Sequence, residues 1–336
     1  MSFQKCKVVG KSISPATYHG HNIARGDLKY PVSSSMLKEF SKCPSRWIRG
    51  YESPESASKD FGNLLDTLVL TPELFDTRYA VEPLEYQPEK GDKKPWHNGA
   101  GVCEEWKRDQ LTAGRIITSE TDIAEAKKAV QRISSDEILS AFIFASDRQV
   151  LVEGEWKDEA SGLVLPVRCL IDLVPRLDTE FSESLGDLKS TRSAAIRKFQ
   201  NDVFQFGYHI QAAFDLDIFN AATNEGRMAW GFVVQENFAP FEIGRRMMRD
   251  AEKGEQPEDS NLIALGRSQY KRMLENYAWC LATKKWTSYD DSDKSSAGWT
   301  PVNAEPWMAQ RVLFEPKFQQ NETEDAPVGD DLGATL

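Results

Sequence analysis

A mixed α/β fold with a mostly helical N-terminal portion is predicted by three observations. Helical periodicity dominates the first 146 of 336 residues, and strand-like runs cluster from Gln149 onward. A long helical run from Ser193 to Ala221 then separates those strands from two more strands and a last helix. One domain is expected over residues 1–314, with a helical portion at 1–146 and an α/β core at 147–314. The alternative is an independent helical domain at 1–146 followed by an α/β domain.

The opening segment reads as extended. In SSSMLKEFSKCPSRWIRG, Ser33, Ser34 or Ser35 can cap a helix whose apolar side is Met36, Leu37 and Phe40, and Pro44 breaks it. FGNLLDTLVLTPELF is a second helix with apolar positions 64, 65, 68 and 69, and Pro72 fits the first turn of a short one after it. Residues 82–100, dense in Pro, Gly, Lys and Glu, read as a mobile excursion. Residues 119–146 return to helical periodicity with a break near the paired serines at 134 and 135.

QVLVEGEWKD and LVLPVRCLIDLVPRL read as strands around the DEASG turn, with Pro166 marking an edge or a bulge. SLGDLKS is a short strand, residues 193–221 a long helix despite an internal glycine, and MAWGFVVQE and PFEIGRR the next strands. LIALGRSQYKRMLENYAWCLATKK closes the folded part as a helix. The last 22 residues, 315–336, carry six acids against one lysine and are expected to be disordered or to contact a basic partner face.

With 41 Lys and Arg against 52 Asp and Glu, the net charge of -11 argues against a protein that coats nucleic acid through a basic surface. A confined basic passage stays open. No run approaches the roughly twenty apolar residues of a membrane helix, and the start lacks a signal-like apolar stretch. A cytoplasmic protein without a membrane partner is therefore expected. Five scattered cysteines with no CxxC read as reduced thiols. His19, His21, His97 and His209 lack compact ligand spacing, which argues against a histidine zinc site.

The chemistry concentrates on Asp172, Asp187 and Lys189. In a strand, positions 187 and 189 share a face, and Asp172 ends the preceding strand fifteen positions earlier. Two carboxylates can hold Mg²⁺ or Mn²⁺, while a lysine can orient a water and stabilise developing negative charge. Glu153, in the strand before, can complete a metal shell. Glu155 shares its parity and is a rival, Glu153 being preferred because it lies farther from the turn. Taken alone, an Asp-x-Lys pair is equally an exposed surface pair.

The surrounding motifs carry more. VSSSMLKEFSKCPSRW, FGNLLDTLVLTPELF, EWKDEASGLVLPVRCLID, GDLKSTRSA and FQFGYHIQAAFDLDIFN, in this order over roughly residues 12–290, resemble the phage-recombination exonucleases of the exodeoxyribonuclease VIII type. Those belong to the PD-(D/E)xK nuclease superfamily, so the resemblance implies a restriction-endonuclease-like core. It assigns Asp172 and Asp187 as metal-binding carboxylates, Lys189 as the catalytic lysine and the Leu188 carbonyl as a further ligand. It also places Gln211 of the YxxQ element near the centre and gives Tyr208 a role supporting DNA or local architecture.

One departure is visible. Where that family often carries a GxxxH histidine, GNLLD places Asp66 after Gly62. Aspartate can replace imidazole as a hard-metal ligand, with different charge and reach; it can equally be a solvated helix residue. The late cysteine cluster of iron–sulfur relatives is missing, so no such cluster is expected.

The resemblance further implies a Mg²⁺- or Mn²⁺-dependent exonuclease with one or two ions, acting 5′-to-3′ on linear double-stranded DNA and leaving single strands for recombination. A single-strand annealing partner, a homo-oligomeric ring and a bacterial or phage-infected host cell follow from it. Arg192, Arg197 and Lys198 can contact phosphates near the centre, and Lys38, Lys42, Arg46 and Arg49 form a second basic patch. A non-catalytic DNA-binding or assembly protein on the same fold, and an endonuclease with the same metal chemistry, are the competing readings.

Overall fold

The computed structural model describes residues 3–51, 57–250 and 261–289, and the following concerns the compact unit of residues 1–288. The acidic segment 315–336 and the residues 290–314 before it lie outside the described residues. The elements are β1 (Phe3–Gly10), α1 (Pro15–His19), α2 (Ser34–Lys42), α3 (Pro44–Ile48), α4 (Ala57–Leu70), a 3₁₀ turn at Pro72–Leu74 and α5 (Phe75–Arg78). Then come β2 (Tyr79–Val81), β3 (Glu85–Tyr86), β4 (Lys94–Pro95), α6 (Gly101–Thr112), β5 (Ile116–Thr118), α7 (Glu120–Ser134) and α8 (Glu137–Phe144). The second half holds β6 (Ser146–Lys157), β7 (Val164–Pro175), β8 (Ser184–Thr191), α9 (Ile196–Gln205), α10 (Tyr208–Thr223), β9 (Ala229–Glu236), β10 (Ile243–Arg249) and α11 (Leu262–Thr283).

The helix starts follow local chemistry. Ser33 caps α2 by accepting from Met36 N, Ser119 and Asp122 form a capping box on α7, Asp136 caps α8 and Asn261 caps α11. The long helix expected over 193–221 is two helices. Gly207, at φ +63, adopts the left-handed conformation between α9 and α10, and this turn redirects the chain. The stretch 82–100 carries the two-residue strands β3 and β4.

Six strands form one sheet in the order β1-β6-β7-β8-β9-β10, antiparallel except for the parallel pair β8 and β9, whose crossover is α9 and α10. On one face, Met36, Leu37 and Phe40 of α2, Ile210 and Phe214 of α10 and Tyr270 and Leu274 of α11 pack over Val152, Ile171, Leu185 and Trp230. On the other, Leu65 and Val69 of α4, Ile133 of α7 and Leu139 and Phe142 of α8 cover Leu173, Leu188 and Val233. The fold is thus α/β with three layers, and N-terminal helices contribute to both outer ones.

The ladder between β7 and β8 is short. Leu173 pairs with Gly186, after which β8 stays with β9 through Thr191. Farther back on β7 the vacated edge is taken by Val32, which donates to the Pro166 carbonyl and accepts from Arg168 N, both at 2.8 Å. Pro166 therefore sits inside the six-stranded order, yet beside a local opening where only its carbonyl is used.

Candidate active site

The parting of β7 and β8 creates the site. Beyond the Leu173–Gly186 pair, the Leu188 N–H donates to Asp172 Oδ2 at 3.0 Å, so a side-chain carboxylate replaces the ladder. The other oxygen, Oδ1, accepts from Gln149 Nε2 at 2.9 Å. Gln149 lies opposite Asp172 on β6 and has a backbone φ of +48, an uncommon conformation for a non-glycine residue. Its Oε1 is buried without a hydrogen-bond partner.

Alternation along β8 does the rest. Leu185 packs under α10 and Leu188 under α4 and α8, so Asp187 and Lys189 share the α10 side. Asp187 is 3% exposed; its Oδ1 accepts from Gln211 Nε2 at 3.2 Å and its Oδ2 lies 2.5 Å from Lys189 Nζ. The Lys189 ammonium sits 5.0 Å from the Tyr208 ring centroid. Tyr208 and Gln211 begin α10 directly after the Gly207 turn, and their spacing of three brings both to the centre.

Asp66 arrives from the opposite layer. Gly62 marks the close approach of α4 to β8, where a Cβ would stand 3.6 Å from that of Ser190, and Asp66 follows one turn later. It lies within electrostatic reach of Lys189 and Asp187, and burial pushes its carboxyl up to about 7, with Lys189 opposing the shift. Asp172 is held well above the usual carboxylate range by burial, then by Asp187 and Asp66. Burial works against the charge on Lys189, but Asp187 and Asp172 outweigh it and keep the ammonium above the ordinary lysine range.

Glu153 is not brought to this group. It lies four residues beyond Gln149 on β6, about 13 Å along the strand at roughly 3.3 Å per residue, paired with Arg168 and Lys7. Its rival Glu155 binds Gln4 and Lys5 at the sheet edge. Strand membership alone did not reveal that Gln149 is the β6 residue level with Asp172. Asp215 was also missed: it is 2% exposed and follows Gln211 by one turn of α10. Burial and then Asp187 hold it well above the usual range, and a hydrogen bond from Gln211 counteracts this. The signal was an acid four residues after Gln211, on the same helix face.

The basic positions are dispersed. Arg192 and Arg197 are exposed just after β8, whereas Lys198 is tied to Asp202 at 3.1 Å. In the second patch Lys42 pairs with Glu39, and Arg46 lies over Tyr51 at 3.7 Å. Lys38 of that patch interacts electrostatically with Asp187 and Lys189. His209 is buried, bridging the Val203 carbonyl and Gln269.

The donor set suits a hard cation. Asp172, Asp187 and Asp66 offer carboxylate oxygens, and charged oxygens buried this close to one another are stabilised by added positive charge. Among the described residues no three His, Cys, Asp or Glu side chains stand close enough together to hold an ion already.

A candidate exonuclease from Eubacterium rectale superposes with a TM-score of 0.47 at 15% identity, over 90% of this chain and 98% of that one. The protein SSO0001 superposes with a TM-score of 0.25 at 13% identity, over 52% of this chain and 70% of that one. No curated protein matches the sequence. Residues 33–294, which span every element from the Ser33 cap to α11, match the profile of the PDDEXK-like domain of unknown function DUF3799, and the chain belongs to that family.

Proposed function

We propose that the protein is a divalent-metal-dependent DNA nuclease, acting as a 5′-to-3′ exonuclease on linear duplex. The observation that carries this reading is the convergence of Asp172, Asp187, Lys189 and Gln211 where β7 and β8 part. Asp172 and Asp187 would hold Mg²⁺ or Mn²⁺, with the Leu188 carbonyl and Asp66 as further oxygen donors. When bound, such an ion makes water more acidic and stabilises charge on phosphate oxygens.

The chain's own groups have distinct tasks. Lys189, kept protonated, offers an N–H donor and positive charge to the phosphate or the attacking water. Gln211, anchored to Asp187 through Nε2, has its carbonyl oxygen as the acceptor with which to orient water. Tyr208 borders the ammonium with its ring. Arg192 and Arg197 are exposed and would contact flanking phosphates.

Polarity, single-strand products, a ring assembly and an annealing partner are supported by the sequence resemblance to recombination exonucleases. A time course on end-labelled linear duplex with Mg²⁺ or Mn²⁺ tests the reading. Nucleotide release that disappears in Asp187→Ala, with closed circular duplex spared, is the expected result. Cleavage of the closed circle would indicate an endonuclease, and a folded protein releasing nothing with either ion would overturn nuclease function.

A further inference from the structure

Lys38 stands out as a cation beside the start of α10 with no carboxylate partner among the described residues. It belongs to α2, and its aliphatic stem crosses the α9–α10 junction at Gly207, where a Cβ would fall 2.8 Å from Lys38 Cδ. The bare glycine backbone gives the side chain its passage. Lys38 Nζ then donates to the Phe206 carbonyl at 3.0 Å, and none of the described carboxylates lies within ion-pair distance of it. Of the three N–H donors of an ammonium, two have no acceptor among the described residues.

The neighbourhood is that of the active site. Lys38 interacts electrostatically with Lys189, Asp187, Asp215 and Glu39. Burial, followed by repulsion from Lys189, brings its ammonium down to about 8, and the three carboxylates oppose this shift. Lys189 has Asp187 at 2.5 Å as its own counter-charge. Lys38 is partly exposed and has the neutral Phe206 carbonyl as its partner, which leaves its charge available to an incoming anion.

Resting on the nuclease reading, we infer that Lys38 is a second cationic contact to the substrate phosphodiester, a binding residue that works beside Lys189. A phosphodiester presents two unesterified oxygens, enough for one donor from each lysine, and its negative charge relieves their mutual repulsion. The competing role is purely architectural, a lysine that pins the carbonyl of Phe206, the C-cap of α9.

Three variants separate the roles by equilibrium binding of a fluorescent linear duplex to the full chain, with Ca²⁺ in place of Mg²⁺ and over a salt series. Lys38→Met removes charge and hydrogen bond, Lys38→Gln keeps a donor for Phe206, and Lys38→Arg keeps the charge. Met and Gln should each weaken binding about tenfold and reduce the slope of log affinity against log salt by about one, while Arg stays within about threefold of wild type. Circular dichroism and the melting temperature establish that each variant is folded. Wild-type affinity and salt slope in folded Gln or Met proteins would overturn the inference and leave the pin. If wild type binds and cuts DNA while the variants do not differ from it, only the inference fails; if wild type neither binds nor cuts, the nuclease reading fails and takes this contact with it.

Discussion

The backbone N–H of Leu188 donates to Oδ2 of Asp172 at 3.0 Å, so the carboxylate both closes a broken ladder and presents charge to the centre. These roles separate by substitution. Asp172→Asn keeps an acceptor for Leu188 and removes the charge; it should abolish nucleotide release while the melting temperature holds or rises. Asp172→Ala leaves the Leu188 and Gln149 donors unanswered and should lose about 1–3 kcal/mol per unsatisfied buried group in addition to activity. Denaturant titration of both variants beside the nuclease assay checks the split, and equal destabilisation would remove the structural role.

Gln149 makes a second test of how the site is held. Its φ of +48 costs about 1–3 kcal/mol for a non-glycine residue, and its amide returns a hydrogen bond to Asp172 Oδ1 at 2.9 Å. Gln149→Gly removes both strain and bond, so global stability should shift by less than about 1 kcal/mol. Turnover should nevertheless drop about tenfold, because Asp172 loses its lateral support. Single-turnover kinetics on linear duplex, with stability measured in parallel, separates positioning from folding.

The metal-free protein should show its carboxylate burden as a pH dependence. Asp66 is raised from 3.8 to about 7 by burial, so between these values the folded chain holds a proton that the unfolded chain has released. Stability from this group is present below about pH 4 and declines as pH rises through 7. Asp66→Asn removes that decline. In EDTA at pH 8 the variant should melt above wild type, and the gap should close as pH falls toward 4. Saturating Mg²⁺ should raise the wild-type melting temperature more than that of the variant, as expected for a ligand bound through this carboxylate.

Much of this arrangement was legible in the sequence, and the parts that were not share a physical cause. The order of helices and strands followed from apolar periodicity, caps and breakers, as at Ser33, Pro44 and the serines ending α7. Asp187 and Lys189 shared a face because strand parity is local. The choice between Glu153 and Glu155 rested on distance from the turn, whereas the β6 residue level with Asp172 is Gln149, between the pairs Arg148–Leu173 and Val150–Ile171, a register set by tertiary pairing. The break at Gly207 was hidden by continuous helical periodicity on both sides, and only its positive φ splits α9 from α10. Lys38 looked like one of four surface cations because its path across Gly207 joins residues 169 positions apart.

The packing of α10 on α11 supplies a prediction remote from the chemistry. A Cβ on Gly266 would fall 2.1 Å from the His209 carbonyl oxygen, closer than non-bonded atoms approach, so α11 meets α10 there backbone to backbone. Helix propensity favours alanine over glycine by about 1 kcal/mol, but overpacking at a contact this tight costs about 1–3 kcal/mol or more. Gly266→Ala should therefore destabilise the protein despite its better helix residue. Because α10 carries Tyr208 and Gln211 at its start, the displaced helix should also weaken the Gln211 bond to Asp187. A lower denaturation midpoint accompanied by reduced turnover at temperatures where the variant is fully folded is the expected pattern. A midpoint at or above wild type would show that α11 moves away from α10 without cost.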